Sequence, residues 1–251
     1  MTPRTLLALG AAVLAFSAGA LAFDGTTGLG ADVAVAAETS HDAAPVHVTK
    51  AELRRVDSIE LDAEALVLRN GDDTVVESSM RDSGLTVSVL NRLLGTPSRT
   101  QTAEGDGGAC FPAGTTYTWG GAIRVAALTT DAAAGNAVEI RVLRDSVRSV
   151  LGRQIELTGP GGVRVGDDIA DEIADAPRSE RVSYGSDDSR AWQLLLREGW
   201  ADRHDDDDDD DDDESSKHSD DAGTNGVSAL TNETTVTVLG SPMPVHAQRS
   251  C

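Results

Sequence analysis

The chain has 251 residues, 39% hydrophobic and 25% charged, enough for one folded domain of ordinary size or two small ones. With 21 basic residues against 42 acidic ones, a formal net charge of −21 leaves no overall basic field to draw nucleic acid or anionic lipid. Aromatics make up only 3%, which excludes a stacking platform for sugars or bases and leaves a core of Val, Leu, Ile and Ala around Phe111, Tyr117, Trp119, Tyr184, Trp192 and Trp200.

Residues 1–22 carry one cation, Arg4, then an apolar run from Leu6 to Leu21 and the small-x-small triplet ending at Ala20 and Ala22. This pattern predicts a secretory signal peptide cleaved after Ala22, and hence a secreted, extracytoplasmic protein with no stable membrane insertion after cleavage. The run is short for a span, and no second stretch is long enough to cross a bilayer. In an oxidising compartment the only two cysteines, Cys110 and Cys251, are expected to form a disulfide. Two unpaired thiols or an intermolecular bond are the alternatives. A closed loop of this length stabilises by about 4–5 kcal/mol in the chain-entropy model.

Residues 23–50 are small, polar and aperiodic and read as a flexible lead-in. From 51 on, two stretches resemble each other. Ile59-Glu60-Leu61 leads to Gly71-Asp72-Asp73, and Ile155-Glu156-Leu157 leads to Gly166-Asp167-Asp168. Both acidic pairs are expected to cap helix N-termini, where a carboxylate accepts from unpaired backbone N–H groups. The first helix would bury Val75, Val76, Met80, Leu85, Val89, Leu90, Leu93 and Leu94 and stop at Gly95-Thr96-Pro97. The second would carry Ile169 and Ile173 on one face and end before Pro177. Strands are expected at Thr116–Trp119, Ala122–Leu128, Ala137–Leu143 and within Val227–Leu239, with Asp131–Asn136 as a hairpin connection. Ala191–Leu196 fits strand or helix. The expected fold class is α+β: two similar halves, 51–147 and 148–251, each with short helices packed on antiparallel sheet.

The order helix, Leu93-Leu94-Gly95-Thr96-Pro97, Cys110, then Tyr117-Thr118-Trp119-Gly120 resembles small secreted actinobacterial proteins. More distantly it is similar to the tandem helix-plus-sheet domains of the β-lactamase inhibitory protein and of outer-membrane assembly lipoproteins. Those inhibitors have an aromatic-rich sheet face and a disulfide within each half, which this chain lacks, so no binding residue is carried over.

The second half contains an acidic tract, Asp205, Asp206, Asp207, Asp208, Asp209, Asp210, Asp211, Asp212, Asp213 and Glu214, inside an insertion spanning 201–224. Such a run repels itself and predicts a disordered, solvated loop. Calcium prefers clustered carboxylates, but an EF-hand needs alternate ligands, a mid-loop Gly and a terminal Glu, so only weak divalent-cation association is expected.

All five histidines, His41, His47, His204, His218 and His246, fall outside 48–203. A Ser-His or Cys-His dyad and a His/Cys zinc site therefore lack their parts, and no catalytic, cofactor or metal residue is singled out. The expectation is a non-catalytic protein that binds another protein or a cell-envelope component and no nucleic acid. The alternatives are calcium or basic-surface binding through the tract, and a carboxylate-dependent hydrolase.

Overall fold

The computed structural model describes residues 48–105, 113–132, 135–186, 190–200 and 225–245. The expected signal peptide, Cys110, Cys251 and the acidic tract lie outside these residues.

The body opens with the short helix α1 (Lys50–Leu53), whose N-cap Thr49 and third residue Glu52 form a reciprocal capping box. Val48 is already buried, so the last residues of the expected lead-in, 48–50, belong to the fold. Next come β1 (Ser58–Leu61), β2 (Ala65–Asn70) and β3 (Asp73–Ser79). Asp72 and Asp73 thus sit at a β2–β3 hairpin turn, where Gly71 has φ 59°, and cap no helix. Val75 and Val76 lie on β3 rather than on a helix, because β3 presents Val76 and Ser78 inward and leads into buried Met80. The helix begins later: α2 (Ser83–Leu94) is capped by Asp82, which accepts from the Leu85 N–H at 2.7 Å. It buries Thr86, Val89, Leu90 and Leu93 and stops at Gly95, as its sequence predicts.

Four strands follow: β4 (Arg99–Ala103), β5 (Gly114–Trp119), β6 (Ile123–Leu128) and β7 (Val138–Val142). Then come β8 (Ser146–Arg148), β9 (Gln154–Thr158), a 3₁₀ turn at Pro160–Gly162 and the helix α3 (Ala170–Asp175). Ile169 and Ile173 are buried at α3. Asp168 accepts from the Ala170 N–H at 3.2 Å, but the N-cap itself is Ile169, which makes no side-chain cap, and Asp167 accepts from the Arg164 N–H, so the pair is not the expected cap. The chain continues with β10 (Arg181–Tyr184), β11 (Ala191–Glu198), β12 (Gly226–Asn232) and β13 (Thr235–Ser241). Ala191–Leu196 is therefore strand.

These strands form two sheets. The smaller runs β3-β2-β1-β9-β8, and the larger runs β10-β11-β12-β13-β7-β6-β5-β4. Strands dominate the structure. Every neighbouring pair is antiparallel except β1 and β9, which lie parallel and break the wholly antiparallel expectation. The two Ile-Glu-Leu stretches are these two neighbours, offset by two residues: Ile59 faces Leu157. Strands from before and after residue 147 share both sheets, and the division at 147/148 falls inside β8.

Period-2 patterning gives each sheet one apolar face. In the small sheet Ile59, Leu61, Leu66, Leu68, Ile155 and Leu157 point inward; in the large one Ile123, Val125, Ile140, Val142, Ala229 and Leu239 do. These residues form one continuous core, and α2 packs against β3 of one sheet and β6 of the other. Trp119 is fully buried there and donates from Nε1 to the Gly95 carbonyl at 2.9 Å. Tyr184, expected in the core, is half exposed on the outer face.

Candidate functional site

The outer face of the large sheet carries a recess. After β13 the chain crosses back over Gly226, Ser228 and Gly240, positions where a bulkier side chain would block it: a Cβ on Gly240 would come within 3.0 Å of the Met243 sulfur. The crossing is pinned by Met243 N–H to the Gly226 carbonyl at 2.7 Å, by the Ser228 hydroxyl to the Met243 carbonyl, and by Gln193 Nε2 to the Met243 and Pro244 carbonyls. Tyr184 donates to Gln193 Oε1 at 3.1 Å and so orients the amide. Beside it lies a cavity of about 260 Å³ whose rim includes Glu139 and Arg141. Its central polar groups are consumed in holding the crossing segment, which makes it first a structural anchor.

The second region is built at the β8–β9 turn. Ser149 N–H bonds to the Arg153 carbonyl and Gly152 N–H to the Ser149 carbonyl, which closes the hairpin. The Val150 N–H donates to the Leu93 carbonyl at 3.0 Å, docking the turn on the C-terminus of α2. Gly95, at φ 90°, lets that approach happen, since a Cβ there would sit 2.9 Å from Val150 Cγ1. The result is a rigid tip with Val150 56% and Leu151 50% exposed. They are adjacent at the hairpin end.

Around this tip stand Lys50 and Arg54 from α1 and its C-cap, Arg92 from α2, and Arg148 and Arg153 at the ends of the turn. Arg92 donates to the Val48 carbonyl and Arg153 to the Arg54 carbonyl. Among the described residues the ion pairs are Arg69–Glu60, Arg164–Glu156 and Arg197–Asp62, so none of the five tip cations has a carboxylate partner there. A narrow crevice of about 30 Å³ opens between Leu53, Arg54, Leu93 and Leu151, and Ser149 lines it. Ser149 is only 7% exposed, and its hydroxyl has no partner among the described residues. A buried hydroxyl without a partner is costly, so this donor is set for a ligand oxygen or a water.

Among the described residues no three His, Cys, Asp or Glu side chains converge as metal ligands, and no helix is long and apolar enough to cross a membrane. Glu52 is held below its ordinary value of 4.5, first by the Thr49 backbone N–H, then by the Thr49 hydroxyl, with a smaller contribution from Arg55. That is a capping interaction. The expected disulfide residues Cys110 and Cys251, the cleavage residues Ala20 and Ala22, and Asp205 to Glu214 fall outside the described residues. The structure brings together instead residues that the sequence scatters over positions 50, 54, 92 and 149–151.

No protein-family model, no curated protein and no solved structure matches this chain.

Proposed function

We propose that the chain is a secreted, non-catalytic binding protein whose folded body presents the β8–β9 turn to another protein or an envelope component. The observation that carries this reading is the pairing of two exposed aliphatics, Val150 and Leu151, with cations that lack carboxylate partners among the described residues. The test is affinity capture from cell envelope and medium with the intact protein, the Leu151→Asp/Arg54→Glu variant and a deletion of His204 to Asp221. Capture retained by the deletion and lost by the double variant supports the reading. Capture lost only with the deletion overturns it in favour of charge-mediated binding by the tract, and hydrolytic turnover in a broad substrate screen overturns it in favour of an enzyme.

The finer reading of two similar helix-plus-sheet halves, and with it the likeness to tandem helix-plus-sheet inhibitors, is a proposal of the same kind. Its support is the neighbouring placement of the two Ile-Glu-Leu strands, β1 and β9.

A further inference from the structure

We propose that the β8–β9 tip docks on the surface of an anionic phospholipid bilayer, with Val150 and Leu151 entering the boundary between headgroups and acyl chains and the surrounding cations meeting lipid phosphates. The inference rests on the binding-protein reading above and names the partner's chemistry.

Three features point to lipid. The first is preorganisation: the aliphatics sit at the end of a hairpin at the mouth of the crevice, and backbone hydrogen bonds from Val150 to Leu93 and from Ser149 to Arg153 hold them in place before any contact. A half-exposed pair held in this way loses little conformational freedom on insertion. The second is the charge arrangement. Lys50, Arg54 and Arg92 line the same crevice as Leu151, which is the amphipathic combination that seats a protein at a headgroup layer. The third is the buried Ser149 hydroxyl in that crevice, unpartnered among the described residues, beside room for a single oxygen-sized group. A phosphate oxygen accepts from it while the guanidinium groups supply charge-assisted bonds. Nucleic acid would present the same phosphates, but it offers nothing to two exposed aliphatics, and no aromatic lines the crevice for a base to stack on.

The chain as a whole, at −21, is repelled by an anionic surface. Attraction is therefore local: charges beyond about 8 Å are screened at physiological salt, so only the tip-first orientation binds, and binding falls as salt rises.

The experiment is vesicle flotation of the chain from Phe23 onward, since the apolar leader expected to be cleaved would itself partition into lipid. Vesicles of equal parts phosphatidylglycerol and phosphatidylcholine are compared with pure phosphatidylcholine, at about 0.05 M and about 0.5 M salt. The expected result is at least tenfold stronger partitioning to the anionic vesicles at low salt, most of it lost at high salt. Leu151→Asp and Arg54→Glu, both at exposed positions, should each lower it at least tenfold with unchanged circular dichroism and melting. Equal flotation of the variants or no preference for anionic vesicles each overturns the bilayer assignment. Envelope capture that still depends on Leu151 and Arg54 while vesicle binding is absent identifies a protein or polymer partner and leaves the binding-protein reading standing. Capture indifferent to both residues brings that reading down as well.

Discussion

Trp119 joins three parts of the molecule: it lies on β5, is 1% exposed in the shared core, and its indole N–H donates to the Gly95 carbonyl at the end of α2. Trp119→Phe keeps most of the apolar volume but strands that carbonyl, and should cost about 1–3 kcal/mol in urea unfolding. Trp119→Ala adds a cavity and should cost about 3–5 kcal/mol. Equal costs for the two variants would mean that the hydrogen bond contributes everything and the packing nothing. Gly95 itself is fixed by two separate constraints, its φ of 90° and the 2.9 Å approach of Val150 to any Cβ. Gly95→Ala should therefore destabilise by about 1–3 kcal/mol. Pairing it with Val150→Ala should recover only the steric part, because the backbone conformation stays unfavourable to an L side chain. Full recovery in the double-mutant cycle would rule out a backbone contribution.

At the scale of elements, the two caps are tested separately. Asp82→Ala removes the N-cap of α2 and should cost about 1 kcal/mol in a chemical melt. Glu52 accepts from the backbone N–H and the hydroxyl of Thr49, which holds its folded acidity constant below the ordinary 4.5. Its support of α1 is thus present above the unfolded value and disappears as pH falls through the folded one. Thr49→Val removes the hydroxyl and keeps the backbone N–H, so an NMR titration of Glu52 should move its midpoint upward only part of the way, and an unchanged midpoint would leave the backbone N–H as the cause. Element order was partly legible beforehand. α2 announces its stop with Gly95-Thr96-Pro97, α3 its apolar face with Ile169 and Ile173, and β13 its alternation. The first hairpin hid because Val76 and Met80, four residues apart, fit a helix face as well as a strand face. The residue between them that would have revealed alternation, Ser78, is a polar residue at a buried position, satisfied at 2.8 Å by the Thr86 hydroxyl of α2. The tip was illegible for another reason: its cations come from three separate elements, and Val150-Leu151 followed by Gly152 reads locally as the end of any apolar strand.

For the whole molecule, the decisive question is whether the acidic residues between 201 and 224 contribute to the fold or only to the surface charge. The flanking strands β11 and β12 are already paired up to the base of this connection. Gly199 N–H bonds to the Asn225 carbonyl at 2.7 Å, Asn225 N–H bonds to the Trp200 carbonyl at 3.0 Å, and Asn225 Nδ2 ties the base to the Ala63 carbonyl beneath. The ladder is thus closed by groups outside the tract. Replacing residues 201–224 with a four-residue Gly-Ser turn shortens the closed loop roughly sixfold, which favours folding by about 1.5 kcal/mol in loop entropy. It also removes a net charge of −11, thirteen acids against Arg203 and Lys217, and so relieves self-repulsion in the compact state. Both effects have the same sign, so the shortened protein should melt at an equal or higher temperature, with the gain from lost repulsion shrinking as salt is added. A lower melting temperature that salt does not restore would mean that the tract holds contacts in the folded body, and that the hairpin base at Gly199 and Asn225 is not sufficient to close β11 on β12.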